Sequence, residues 1–184
     1  HTSVIPIAGD QITNDIAMAL RTPTKDAEEL KIRHGVALRQ LASVNDMIEV
    51  PGVGDRGARE ISRQTLAEVI EPRVEELYSL VQRELRSCGL EELLSSGIVI
   101  TGGTSLMKGM VELGEEVFHM PVRVGLPQYA GALAEVVRSP RHSTGMGLLL
   151  AGLEQVKREQ HAKITGTGFK DVFEKMRAWF KGNF

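Results

Sequence analysis

The sequence is poor in cysteine, in aromatic residues and in long hydrophobic runs. Its 184 residues include one cysteine, Cys88, which excludes a disulfide within the chain and fits a reducing compartment. Aromatic residues make up only 4%, so aliphatic side chains must fill the core. No apolar run reaches the roughly 18 residues that a membrane-spanning helix requires. We therefore expect any membrane contact to be peripheral.

Charge and side-chain clusters exclude further classes of function. The formal net charge is −2, so no global field attracts nucleic acid, and we expect no nucleic-acid partner. The five histidines are scattered, and no metal-ligand cluster, Walker loop or catalytic set is visible. Because no residues for catalysis stand out, we do not expect a complete enzyme.

The hydrophobic pattern indicates helices alternating with a few strands, which is typical of a layered α/β fold. A long helix is predicted from about Ser62 to Arg86, with Pro72 as a kink or break. Strands are predicted over residues 4–7, 98–101 and 122–124. The chain enters its first strand at once and has no initiating methionine, which indicates a fragment of a longer protein.

A Gly-Gly turn between a predicted strand and a predicted helix is one candidate ligand site. Gly102 and Gly103 follow the strand, and a helix is expected from Ser105 onward. Glycines let the backbone approach a ligand closely, and a helix N-terminus offers free N–H groups. A nucleotide base or ribose could lie there. The alternative is ordinary turn chemistry, which uses the same residues.

The predicted second helix supplies charged groups at helical spacing. Glu28 and Lys31 lie three residues apart, so they share one face and could bond a ribose or an adenine edge. The alternative is a solvated face carrying an ordinary ion pair within the helix.

The C-terminal segment, residues 169–184, is predicted to be an amphipathic helix after a Gly/Thr linker. Four cations against two anions give it a net charge of +2. Its apolar face holds Phe169, Val172, Phe173, Met176, Trp179 and Phe180, and its cations are Lys170, Lys175, Arg177 and Lys181. Aromatic residues bury well at the headgroup boundary and cations attract anionic lipids, so we expect membrane binding. The alternative is a helix that docks on its own domain.

Several long runs, taken in order, resemble the FtsA family of bacterial cell-division proteins. They are VIPIAGDQITNDIA (4–17), DAEELKIRHG (26–35), RQTLAEVIEPR (63–73), GIVITGG (97–103) and the aromatic-basic tail (169–184). The resemblance covers essentially the whole chain. The Gly-Gly turn alone is shared with the wider superfamily of actins, hexokinases and heat-shock chaperones.

The resemblance implies an actin-like, ribonuclease H-like α/β fold made of two subdomains. Residues 1–35 and 97–160 would form subdomain IIA, and residues 36–96 would form subdomain IIB. Residues 161–168 would be the linker to the membrane-targeting helix, residues 169–184.

The resemblance also implies a function in cell division. The family is expected to bind ATP with magnesium and to polymerise. It is also expected to anchor FtsZ to the cytoplasmic face of the inner membrane at the division site and to interact with other divisome proteins. Adenosine would lie against Glu28, Lys31, Gly102, Gly103 and Thr104. Arg59 and Arg73 match basic positions implicated in binding the acidic FtsZ C-terminal tail or in self-association.

Two other assignments remain open on the sequence alone. One is an ATP-hydrolysing enzyme or chaperone of the same superfamily, which would not be expected to end in an aromatic-basic helix. The other is a pilus-assembly relative. Because the superfamily's phosphate loops are absent from this stretch, the fragment alone is expected to bind ATP weakly or not at all.

Overall fold

The computed structural model describes residues 1–128, 131 and 134–183, without the side chains at 92, 160–175, 180, 182 and 183. The chain forms two compact units, one of residues 1–126 with 139–141 and the other of residues 127–138 with 142–184. The described helices and strands are α1 (Gly9–Leu20), α2 (Thr24–His34), β1 (Met47–Val50), β2 (Arg59–Ser62), α3 (Arg63–Ser87), β3 (Ile98–Ile100), α4 (Met110–Phe118), β4 (Val122–Val124), α5 (Ala134–Val137) and α6 (Ser143–Asn183).

Helix α3 contributes one face to the core of the first unit. Its residues Leu66, Ile70 and Val74 recur at helical spacing and are fully buried, which agrees with the predicted helix. The side chain of Ser62 accepts a hydrogen bond from the Thr65 amide at 3.1 Å, which caps the first turn. Of the two outcomes predicted at Pro72, the break is wrong, because the helix continues through that residue, and the kink stays a prediction.

The strands form two small sheets. β1 pairs with β2 in antiparallel orientation, and β3 pairs with β4 in parallel orientation, with α4 as the connection between them. This is the expected mixture of helices and strands. The strand predicted at residues 4–7 is absent, and β2 was not predicted because its four residues lie between a turn and a helix cap.

The segment after the Gly-Gly turn differs from the prediction. Gly103–Leu106 is one turn of 3₁₀ helix, and the α-helix begins only at Met110. Gly109 separates the 3₁₀ turn from the α-helix, because its φ of +90° is not helical. The position also requires glycine, since a Cβ there would lie 2.7 Å from the Leu38 amide nitrogen. Lys108 forms a parallel bridge with Val36, which keeps this stretch extended. No α-helix N-terminus therefore follows the turn directly.

The second unit contains α6, which continues through residues 161–168 as a helix of 41 residues. The predicted linker at residues 161–168 therefore has a helical backbone, since a helix tolerates isolated glycines at about 1 kcal/mol each, and its role as a linker stays a prediction. Among the described residues, no helix is both long enough and apolar enough to cross a membrane. The boundaries between subdomains IIA and IIB stay a prediction.

Candidate nucleotide site and its family

A cavity of about 370 Å³ lies in the first unit, beyond the carboxyl end of β3. Four parts of the chain build it: the start of α1, one face of α2, the 3₁₀ turn after β3 with the residue that follows it, and Arg141. Its lining is Gly9, Asp10, Glu28, Lys31, Ile32, Gly103, Thr104, Leu106, Met107 and Arg141. Ligands of open α/β sheets bind at this end of parallel strands, so the position suits a binding site.

Glu28 and Lys31 meet at this cavity. The Lys31 Nζ lies 2.6 Å from the Glu28 Oε2, and the Lys31 side chain is only 8% exposed while that of Glu28 is 43% exposed. Burial alone would raise the pKa of Glu28, but hydrogen bonds from Lys31 and Thr13 outweigh it and lower that pKa below its ordinary value. Glu28 is therefore an ionised acceptor at the wall of the cavity.

The Gly-Gly turn forms the opposite side of the cavity. Gly102 has a φ of +94°, a conformation that favours glycine, and its carbonyl oxygen accepts a bond from the Ser105 hydroxyl at 2.7 Å. Gly103 and Thr104 line the cavity itself, whereas Gly102 lines a neighbouring apolar cavity. Four of the five predicted nucleotide residues are thus brought together, and Gly102 shapes the turn that holds two of them.

Gly9 sets how closely α1 approaches this turn. A Cβ on Gly9 would lie 2.7 Å from the Thr104 hydroxyl oxygen and 3.4 Å from the Lys31 Nζ. Ala8 is the N-cap residue of α1, and its amide donates a hydrogen bond to the Gln11 side-chain oxygen at 2.9 Å.

Other lining residues were not predicted from the sequence. Ile32 and Leu106 are 58% and 50% exposed, and they give the cavity aliphatic walls beside its polar groups. Arg141 adds a cation. Thr13, buried at 4% exposure, bonds both Glu28 and Lys31 beneath the cavity. The local sequence does not single out Thr13, because it reaches Glu28 and Lys31 only through the packing of α1 against α2.

The two arginines predicted for the FtsZ tail or for self-association both have partners within the first unit. The Arg59 Nη2 donates to the Leu20 carbonyl at 2.6 Å. The Arg73 guanidinium bonds the Asp15 carboxylate at 2.5 and 3.0 Å and Glu76 at 2.6 Å. These bonds tie β2 and α3 to α1. Arg59 is exposed and uses one of its five N–H donors in this bond, whereas Arg73 uses three of its five and is only 29% exposed, so Arg59 is the more available of the two for another protein.

The predicted membrane face is described only in part. Met176 and Trp179 are 51% and 60% exposed on α6, and Arg177 and Lys181 are exposed as well. The remaining predicted membrane residues, whose side chains lie outside the described part, are Phe169, Lys170, Phe173, Lys175 and Phe180.

Metal-binding side chains do not converge in the part of the chain that the structure describes. No group of three or more His, Cys, Asp or Glu side chains is placed there to hold an ion. Cys88 is a half-buried free thiol at the end of α3.

Comparison with solved structures identifies the fold. The chain is similar to MreB 5 of Spiroplasma citri, in crystal structures bound to AMPPNP and to ADP, with a TM-score of 0.64 in both. The sequence identities are 17% and 18%, and the match covers 86% and 85% of this chain and 47% of each MreB chain. The fold is therefore actin-like.

Comparison at the level of sequence identifies the family. The family model for cell division protein FtsA matches residues 1–147. The chain is 55% identical to FtsA of Pseudomonas aeruginosa and 42% identical to those of Neisseria meningitidis and Escherichia coli K12, over 98–100% of its own length. It spans 44–46% of these relatives, or about half their length. A match of this extent means that the chain belongs to the FtsA family of cell-division proteins.

Proposed function

We propose that the full-length protein is an adaptor of cell division that binds ATP with magnesium in the cavity at Glu28. It anchors FtsZ polymers to the cytoplasmic face of the inner membrane at the division site. The observation that carries the nucleotide part is the ionised Glu28 beside Lys31 at a cavity of about 370 Å³. A cavity of that size lies within the range of small-molecule and cofactor sites.

The lining suits an adenosine. A carboxylate accepts hydrogen bonds from ribose hydroxyls, and the aliphatic side chains of Ile32 and Leu106 offer apolar surface to a base. Because the glycines of the turn carry no side chain, a ligand can approach the backbone there closely. The MreB structures of the same fold were solved with AMPPNP and ADP, which supports a nucleotide as the ligand class.

Titration of the full-length protein with Mg·ATP tests this site. Glu28→Gln keeps the shape of the side chain but removes its charge, so we expect about tenfold weaker binding, the loss of one charge-assisted bond. Glu29→Gln is the matched control, because Glu29 is the next residue on α2 and pairs with the exposed Arg33 at 2.7 Å. Equal affinity of wild type and Glu28→Gln, or an equal loss in both variants, would refute the site.

The membrane part of the proposal rests on the composition of residues 169–184 and on the exposed Trp179 and Met176. Such a helix binds at the headgroup boundary through its apolar face, while lysines add roughly 1 kcal/mol each near anionic lipids. Deleting residues 169–184 from the full-length protein should abolish co-sedimentation with anionic liposomes. Unchanged co-sedimentation would remove the anchor from the proposal.

Paired charge variants separate lipid binding from a loss of helix. Trp179→Glu places a charge on the apolar face and should weaken liposome binding at least tenfold. Ala178→Glu places the same charge on the neighbouring exposed position and is the control. If both variants bind liposomes alike, the apolar face does not make the contact.

Binding of the FtsZ C-terminal tail is proposed at or near Arg59 and Arg73, with self-association into filaments as the other role for these residues. Their internal partners complicate the usual alanine test, because Arg73→Ala also frees Asp15. Asp15→Ala is the matched control, since it breaks the same ion pair but keeps the arginine. Tail binding lost in Arg73→Ala and retained in Asp15→Ala supports direct contact; loss in both contradicts it.

A further inference from the structure

We propose that Thr13 is a positioning residue of the nucleotide site, which fixes the Glu28 carboxylate so that one of its oxygens is free for the ligand. The inference rests on the proposed ATP site. It adds a residue that neither the Gly-Gly turn nor the charged face of α2 contains.

The hydroxyl of Thr13 lies between the two charged groups. It is buried, at 4% exposure, and the Lys31 Nζ approaches the Thr13 Oγ1 to 2.8 Å. An ammonium group has donors only, so the Thr13 oxygen must accept from it. The single hydroxyl hydrogen is then directed to the Glu28 Oε2, which lies within hydrogen-bond distance.

The hydrogen bond that a threonine usually donates within a helix has a competitor here. Such a side chain ordinarily donates to the carbonyl four residues earlier, which for Thr13 is the Gly9 oxygen at 3.1 Å. The Lys31 Nζ also donates to that oxygen, at 3.0 Å. Because Lys31 satisfies the Gly9 carbonyl, the Thr13 hydrogen is available for Glu28.

The donors of Lys31 are all engaged by the protein. Its three N–H groups have three acceptors within reach: the Gly9 carbonyl at 3.0 Å, the Thr13 hydroxyl at 2.8 Å and the Glu28 Oε2 at 2.6 Å. Lys31 therefore has no donor to spare for a ligand in this arrangement. Its role is to hold the carboxylate together with Thr13.

The two oxygens of Glu28 are consequently unequal. Both Thr13 and Lys31 bind Oε2, whereas Oε1 has no partner among the described residues. The side chain lines the cavity and is 43% exposed. Glu28 thus presents one fixed acceptor to the cavity, which suits a ligand group that donates, such as a ribose hydroxyl. Pre-orientation of this kind lowers the entropic cost of binding.

Affinity for Mg·ATP in the full-length protein provides the test. Thr13→Val keeps the shape and loses the hydroxyl, so we expect about tenfold weaker binding, while Thr13→Ser should stay within about threefold of wild type. Thr13→Ala serves as a second variant without the hydroxyl. Melting temperatures of all variants are measured, and titrations are made well below the lowest.

A double-mutant cycle distinguishes positioning from a general structural role. If Thr13 acts through Glu28, then Thr13→Val in the Glu28→Gln background should add less than threefold, because the clamped carboxylate is already gone. A full tenfold addition there, or Thr13→Val binding like wild type, overturns the inference while ATP binding itself stands. A wild-type protein that does not bind Mg·ATP overturns both the inference and the proposed site.

Discussion

The two longest helices of the chain, α3 and α6, differ in what covers them. In α3, a stripe of aliphatic residues is fully buried in the first unit, and the Tyr78 hydroxyl donates to the Met110 carbonyl at 2.9 Å. In the described part of α6, Met146 is buried but Leu148, Leu149 and Leu153 are 71%, 63% and 57% exposed. The first helix is stabilised by packing and the second largely by its own backbone. Truncating a side chain should therefore cost much more stability in α3 than in α6.

The largest difference is expected for truncation of an aliphatic side chain. Ile70→Ala in α3 removes a fully buried side chain and should lower the free energy of unfolding by about 2–5 kcal/mol. Leu149→Ala in α6 should change it by less than about 0.5 kcal/mol, because that side chain is exposed. Urea denaturation of this chain measures both. Equal losses would mean that α6 is as tightly packed as α3.

The same contrast decides how well each helix could be predicted. The apolar residues of α3 repeat at helical spacing, and this signal is strong enough to outweigh Pro72, whose missing N–H costs one hydrogen bond in 25 residues. In α6, glycines and threonines at residues 165–168 indicated a linker, yet the backbone there is helical. Local composition did not reveal the helix there, because the cost of two glycines within a long helix can be offset by the turns on either side.

Glycine substitutions provide the next comparison. Gly9→Ala places a Cβ 2.7 Å from the Thr104 hydroxyl oxygen, so the Thr104 side chain or α1 must shift, and we expect a loss of about 1–3 kcal/mol. Gly57→Ala is the control in the same unit, since no atom lies within 4 Å of its Cβ and its φ is not positive. Thermal unfolding compares them. A neutral Gly9→Ala would show that the approach of α1 to the turn is loose.

The corresponding change in α6 should have the opposite sign. A Cβ on Gly152 meets no atom within 4 Å, and alanine favours the helix over glycine by about 0.5–1 kcal/mol. Gly152→Ala should therefore raise the helical signal in circular dichroism and the melting temperature of α6. A loss of stability instead would reveal a partner surface that requires glycine at this position.

The candidate site was predicted only as far as helical spacing allowed. The three-residue interval between Glu28 and Lys31 places them on one face of α2. Two glycines after a predicted strand indicate a turn. Thr13 and Arg141 were not predicted, because they reach the site through tertiary contacts of α1 and of residues 139–141. Sequence spacing also cannot tell which member of a charged pair is buried. Here it is Lys31, so Glu28 remains accessible.

The smallest effect concerns the charge of Glu28 itself. Because its pKa is lowered from 4.5 in the folded state, ionised Glu28 contributes stability that is fully present above pH 4.5 and is lost as the pH falls through the folded value. The carboxylate is 43% exposed, so solvent screens the effect. The free energy of unfolding of wild type and Glu28→Gln should therefore differ by a constant amount above about pH 5, and this difference should shrink on acidification. A difference that stays constant down to pH 3 would mean that Thr13 and Lys31 do not favour the ionised form of Glu28. Their contacts with Oε2 would then not stabilise the carboxylate electrostatically.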